Sequence, residues 1–155
     1  MNQNLSNASF PISGRTVFLD VNGVRAARGI SADKVCDLVE SGALLWVFNL
    51  GRNGKSIREL RFFVHEVANP SGWASMRLPE VIAKILPVSR RQFSASELTQ
   101  WFLISRPTAY RLGGELGGVV KNRIIQFERP ALAGYLESRW LGAPANAAGR
   151  DLRHD

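Results

Sequence analysis

The sequence predicts an α+β chain of two small units in tandem, each a pair of short helices followed by a β-hairpin. Three observations predict it. The stretch Phe93 to Trp140 switches from helix-type to strand-type patterning and back within one short run. The region from Thr16 to Val64 repeats the same order of elements. The length, 155 residues at 45% hydrophobic content, suits one ordinary domain or two very small ones rather than a disordered chain.

Met1 to Ser9 is polar and without periodicity, and residues 1–15 are expected to form a flexible arm. Thr16 to Leu19 reads as a short strand or the approach to a helix. Asp20 or Asn22 can cap a short helix through Ala27, because a side-chain oxygen there satisfies an open amide of the first turn. Gly29-Ile30-Ser31 makes a turn into a second helix, Ala32 to Ser41, with Val35, Leu38 and Val39 at core spacing and Gly42 as its stop. Leu44 to Leu50 and Ile57 to Val64 read as paired strands. Between them Gly51-Arg52-Asn53-Gly54-Lys55-Ser56 contains Asn-Gly, the strongest short hairpin signal. These elements define a first unit over residues 16–68.

Residues 69–92 read as a connector. Asn69-Pro70-Ser71-Gly72 breaks the pattern, and Leu78 to Leu86 is helical, with Pro79 at its start and Pro87 as its stop. The apolar residues Val81, Ile82, Ile85 and Leu86 suit packing between the units or against the same helix of a second copy.

The second unit spans residues 93–141. Ser94 followed by Glu97 is a capping box, and Leu98, Trp101 and Phe102 follow at helical spacing. Leu103-Ile104 is a break. Ser105 caps the next helix, with Arg106 and Pro107 in its first turn, where a proline costs nothing. Ala109 and Leu112 face inward; Arg106, Thr108 and Arg111 face outward; Gly113-Gly114 and Gly117-Gly118 end the helix. Val119-Val120 and Ile124 to Phe127 are strands around a polar tip, Lys121-Asn122-Arg123. Pro130 opens a third helix with Leu132 and Leu136 inward. Trp101 and Tyr110 are assigned to the core. Residues 142–155 are expected to be a disordered tail.

Helix, tight turn, helix, hairpin, helix is the order of a winged helix-turn-helix. The stretch resembles the excisionase-like and MerR-like members of that class. The residues that carry the resemblance are Glu97-Leu98, Ile104-Ser105-Arg106, Thr108 to Leu112, and Pro130-Ala131-Leu132 with Tyr135-Leu136. At the hairpin tip the family often has Gly-Arg where this chain has Asn122-Arg123. The resemblance implies a DNA-binding fold and, by family habit, a homodimer. Because the first half follows the same order, the sequence suggests a degenerate duplication, two winged helix-turn-helix units joined by a connector helix. The alternative is one such unit behind an unrelated α+β dimerisation domain.

Charge points the same way. A net charge of +7 and a pI of about 10.5 attract polyanions, nucleic acid first among them. The candidate DNA contacts are Arg106, Thr108 and Arg111 on the helix, Lys121, Asn122 and Arg123 on its hairpin, Arg52, Lys55 and Arg58 on the first hairpin, and Arg90 and Arg91 before the second unit. The helix Ala32 to Ser41 instead exposes Asp33, Lys34, Asp37 and Glu40, which phosphates would repel. The first unit is therefore expected to use its basic hairpin on the DNA backbone, or its acidic helix on protein.

Other classes find little support. No apolar run reaches the length of a membrane span, and no leader pattern opens the chain. The single cysteine, Cys36, suits a reducing cytoplasm. The Gly51 to Ser56 stretch ends in Gly-Lys-Ser, but a phosphate-binding loop needs four residues between its glycines and this one has two. Cys36, His65 and His154 lack metal-ligand spacing. The expectation is a non-enzymatic, sequence-specific binder of double-stranded DNA in the cytoplasm, without cofactor or small-molecule ligand, acting as a transcriptional regulator. An excisionase-like recombination or architectural factor is the nearest alternative, and a protein-interaction module the next.

Overall fold

The computed structural model describes residues 16–51 and 56–142. The expected arm, the Asn53-Gly54 turn with Arg52 and Lys55, and the tail from residue 143 onward lie outside the described residues. The chain is α+β and divides into two compact units. Of the described residues, one holds those up to Ser75 together with 139–142, and the other holds Met76–Ser138.

In the first unit Asp20 caps α1 (Val21–Arg28) through a 2.8 Å hydrogen bond from the Gly23 amide, and Gly29 closes it at φ +63°. Ser31 caps α2 (Ala32–Glu40). Each such cap contributes about 1 kcal/mol. Val35 and Val39 are buried as their spacing predicts, whereas Leu38 is half-buried and Cys36 takes the third inward position. Strands β1 (Phe18–Leu19), β2 (Val47–Asn49) and β3 (Leu60–Phe63) form an antiparallel sheet in the order β1-β3-β2, with Phe18 opposite Phe63 and Val47 opposite Phe62. Val24, Val35, Val39, Leu60 and Phe62 fuse helices and sheet into one core.

The strands are shorter than the pattern predicts, for a local reason. Glu66 lies on α3 (Val64–Ala68) and is buried. Its carboxylate accepts from the amides of Leu45 and Trp46 at 2.8 and 2.9 Å, so those donors serve a side chain instead of a neighbouring strand. Burial pushes the Glu66 carboxyl above its ordinary range, with the two amides and the Arg28 charge opposing. On the other strand, Ile57–Glu59 is a 3-10 turn capped by Ser56.

Residues 139–141, expected in the second unit, belong to the first. Trp140 pairs with Phe48 in an isolated bridge, stacks on Trp46 at 5.0 Å and donates its indole N–H to the Leu45 carbonyl at 2.9 Å. The Leu141 amide bonds to the Val47 carbonyl, Arg139 donates to the Gly51 carbonyl at 2.9 Å, and Leu141 enters the core. A Cβ at Gly142 would collide with the Trp140 ring. The first unit is thus discontinuous in sequence.

The second unit contains α4 (Leu78–Ile85), β4 (Gln92–Ser94), α5 (Ala95–Trp101), α6 (Arg106–Glu115), β5 (Val119–Lys121), β6 (Ile124–Glu128) and α7 (Arg129–Arg139, its last residue in the first unit). Its sheet order is β4-β6-β5, with Phe93 opposite Phe127. In both units the strand that leads into the helix pair joins the second hairpin strand. Helix α4 is not a connector: it lies within this unit and buries Val81, Ile82, Ile85 and Leu86. Arg129 fastens its end by donating twice to the Leu86 carbonyl, at 2.9 and 3.1 Å. No spare apolar face is left on it for a second copy. Helix α6 also runs through Gly113-Gly114 instead of stopping there, because Gly113 faces the sheet.

Trp140→Ala removes a stacked ring and a hydrogen bond from the first unit. The expected cost is at the lower end of the roughly 3–5 kcal/mol typical of a lost Trp side chain, since the ring is half-buried. Amide exchange is expected to accelerate at Val47 and Phe62 and to stay slow at Phe93 and Phe127.

Candidate nucleic-acid interface

The candidate surface is built by α6 and the hairpin β5–β6. Ser105 caps α6 by accepting from the Thr108 amide at 3.2 Å, with Pro107 in the first turn. Ala109, Leu112 and Gly113 face inward, which turns Arg106 and Tyr110 outward one helical turn apart. The Arg106 guanidinium lies 3.3 Å from the Tyr110 hydroxyl and 5.7 Å from its ring centroid. Tyr110 is 43% exposed, which corrects its assignment to the core. Helical spacing carried the signal: an outward Arg106 places residue 110 on the same face.

The other two helix candidates are partly occupied. Arg111 pairs with Glu115 at 3.0 Å, its side chain 27% exposed. A partly exposed i,i+4 helix pair of this kind is worth about 0.3–0.5 kcal/mol. The Thr108 hydroxyl is 2.8 Å from the Ser105 hydroxyl.

The hairpin turns in two residues, Asn122 and Arg123, with Lys121 opposite Ile124. Their φ angles are +52° and +65°, as a tight primed turn requires. Asparagine tolerates this region; an arginine there costs roughly 1–2 kcal/mol against glycine. Lys121, Asn122 and Arg123 are all exposed.

Between α5, α6 and the hairpin tip runs a groove of about 400 Å³. Arg106, Tyr110, Arg123 and Ile124 line it on one side of the chemistry, and Ser96, Thr99 and Gln100 supply hydroxyls and an amide. Arg106 and Arg123 enter no ion pair among the described residues. The α5 contribution was not anticipated, because nothing in its sequence distinguishes Ser96, Thr99 and Gln100 from an ordinary solvated face.

Arg90 is a correction. It clamps Glu97 at 2.5 and 2.8 Å, donates to the Gln92 carbonyl and lies over the Phe93 ring at 4.7 Å. Glu97 at the same time completes the capping box with Ser94. Arg90 therefore holds β4 and α5 together and its charge is neutralised. Arg91 is exposed, and its carbonyl accepts from the Arg129 amide. Arg58 is exposed in the first unit, and its carbonyl accepts from Arg61, which also donates to the Leu60 carbonyl. On α2, Asp33, Lys34 and Asp37 are exposed and Glu40 is half-buried.

Among the described residues no helix is long and apolar enough to cross a membrane, and no group of His, Cys, Asp and Glu forms a metal site. Compared with family models, curated proteins and solved structures, the chain matches none of them.

The hydrogen bonds from Arg90 hold the Glu97 carboxyl below its ordinary range, against the opposing effect of burial. A carboxylate with a depressed folded pKa stabilises fully above the unfolded value and loses that contribution as pH falls through the folded one. The second unit is expected to weaken below about pH 4.3. In Glu97→Gln that acid dependence is expected to flatten, with lower stability at neutral pH. Amide exchange at Phe93 and Phe127 across the titration reads both effects.

Proposed function

We propose that the chain is a sequence-specific binder of double-stranded DNA and a transcriptional regulator, that the second unit acts as a winged helix-turn-helix, and that the first is a diverged copy of it. The observation that carries this reading is the pair Arg106 and Arg123, two cations without carboxylate partners among the described residues, facing one groove between a helix and a hairpin. Helix α6 has the diameter to enter the major groove, and in this reading Arg106 and Thr108 of its capped N-terminal turn meet base edges or phosphate. Its amino end adds a partial positive charge. One sugar-phosphate strand then lies in the groove, with a phosphate between Arg106 and Arg123 and hydroxyls from Ser96 and Thr99 beside it.

The same topology in the first unit does not imply the same contact. Helix α2 presents Asp33 and Asp37 against Lys34, and a phosphate strand is repelled there. We assign DNA reading to the second unit and a supporting role to the first.

Arg123→Gly separates fold from function. Glycine relieves the left-handed strain, so the hairpin is expected to gain about 1 kcal/mol. Affinity for duplex DNA is expected to fall, and the slope of log affinity against log salt to shrink by about one. Arg106→Ala is expected to cost about 1–3 kcal/mol on a selected site. Binding titrations with the full chain on a selected and a scrambled duplex measure both. Undiminished affinity in both variants would exclude this surface.

A further inference from the structure

The sheet of the second unit has an open edge. Its order is β4-β6-β5, so among the described residues β5 pairs on one side only. The turn Asn122-Arg123 sets the register: Lys121 opposite Ile124 closes the hairpin, and Val120 opposite Ile125 is the next pair. In a two-residue hairpin the closing pair exchanges both hydrogen bonds and the next pair exchanges none. The N–H and C=O of Val120 therefore point away from β6, along the open edge. Val120 is 65% exposed, and Val119, on the other face, is 46% exposed. None of Val119, Val120 and Lys121 lines the groove between α5, α6 and the hairpin tip, so the edge is a surface apart from it.

The backbone of the edge selects the kind of occupant. A phosphodiester strand carries acceptors only. It can satisfy the Val120 N–H but leaves the C=O facing like charge. A peptide strand satisfies both, and its side chains alternate onto the two faces where Val119 and Val120 stand open.

Charge selects among peptides. No acidic residue lies between Leu116 and Phe127. The carboxylates at either end are engaged, Glu115 by Arg111 and Glu128 by Gln92. Lys121 is exposed on the Val119 face. A second copy of this chain would bring its own Lys121 to the edge with no carboxylate to offset it, and a charged edge strand resists pairing with its like. An acidic strand meets the opposite charge there and covers the apolar side chains as well.

We propose that the β5 edge takes an extended acidic segment of a partner protein as an added strand. Apolar side chains of the segment lie against Val119 and Val120, and a carboxylate lies against Lys121. This surface is independent of the DNA-binding reading, and the chain can hold DNA in the groove and the segment on the edge together.

The test uses the full chain and a short capped peptide in which a pair of valines is flanked by glutamates, with a counterpart that has lysines in place of the glutamates. With the glutamate peptide in excess, exchange of the Val120 amide is expected to slow by at least about tenfold, while Phe93 and Phe127 keep their rates. The lysine peptide is expected to give no protection. Val120→Glu sets a like charge on the edge at a position already open to solvent; it is expected to weaken the glutamate peptide by about fivefold or more, with Phe93 and Phe127 still slow to exchange. Protection by both peptides alike, or by neither, would overturn the proposal. Protection of Val120 that grows with protein concentration and needs no peptide would give the edge to a second copy instead. Displacement of the peptide by duplex DNA would give it to nucleic acid. Each of these outcomes leaves the reading of Arg106 and Arg123 to its own titrations.

Discussion

The candidate surface depends on how closely α6 approaches β6. At Gly113 a Cβ would stand 3.1 Å from the Ile125 side chain; at Gly118 it would stand 2.9 Å from that side chain and 3.2 Å from the Gly113 backbone. The Gly118 amide bonds to the Gly113 carbonyl at 2.7 Å, which pins the helix end to the start of β5. With no side chain at either position, helix and hairpin sit close enough to enclose a groove between them. A methyl at both would push α6 off the sheet and widen that groove. Gly117 serves differently, at φ +68°, by reversing the chain.

Beneath this contact lies a small, fully buried core of Phe93, Leu98, Phe102, Leu112, Phe127, Leu132 and Leu136. Each such side chain contributes about 1.5–3 kcal/mol on burial. The arginines divide accordingly. Arg90 and Arg129 sit where open carbonyls or a carboxylate await them, and they join the fold. Arg106 and Arg123 enter no ion pair among the described residues, and Arg106 lies against the ring and hydroxyl of Tyr110 beside the groove. Their charge stays available at the cost, for Arg123, of a strained backbone.

The two units show that one topology carries different surfaces. Both place the leading strand against the second hairpin strand. The first presents an acidic helix face and depends on residues 139–141, which arrive after the whole of the second unit. Its buried carboxylate, Glu66, occupies two backbone amides that a longer strand would have used.

What the sequence determined was local. The caps at Ser94 and Ser105, the narrowing of the first cap to Asp20 or Asn22, the order of elements in both halves, and the outward placement of Arg106 follow from side-chain chemistry within one turn and from helical period. The tertiary structure decided everything that needs a distant partner. It placed α4 inside the second unit, returned Trp140 to the first, neutralised Arg90 through Glu97 and carried α6 past two glycines. Spacing along the chain reports which face a residue takes on its own element. It does not report which carbonyl, carboxylate or ring another element will bring to that face, and that encounter determines whether a charge is spent or left free.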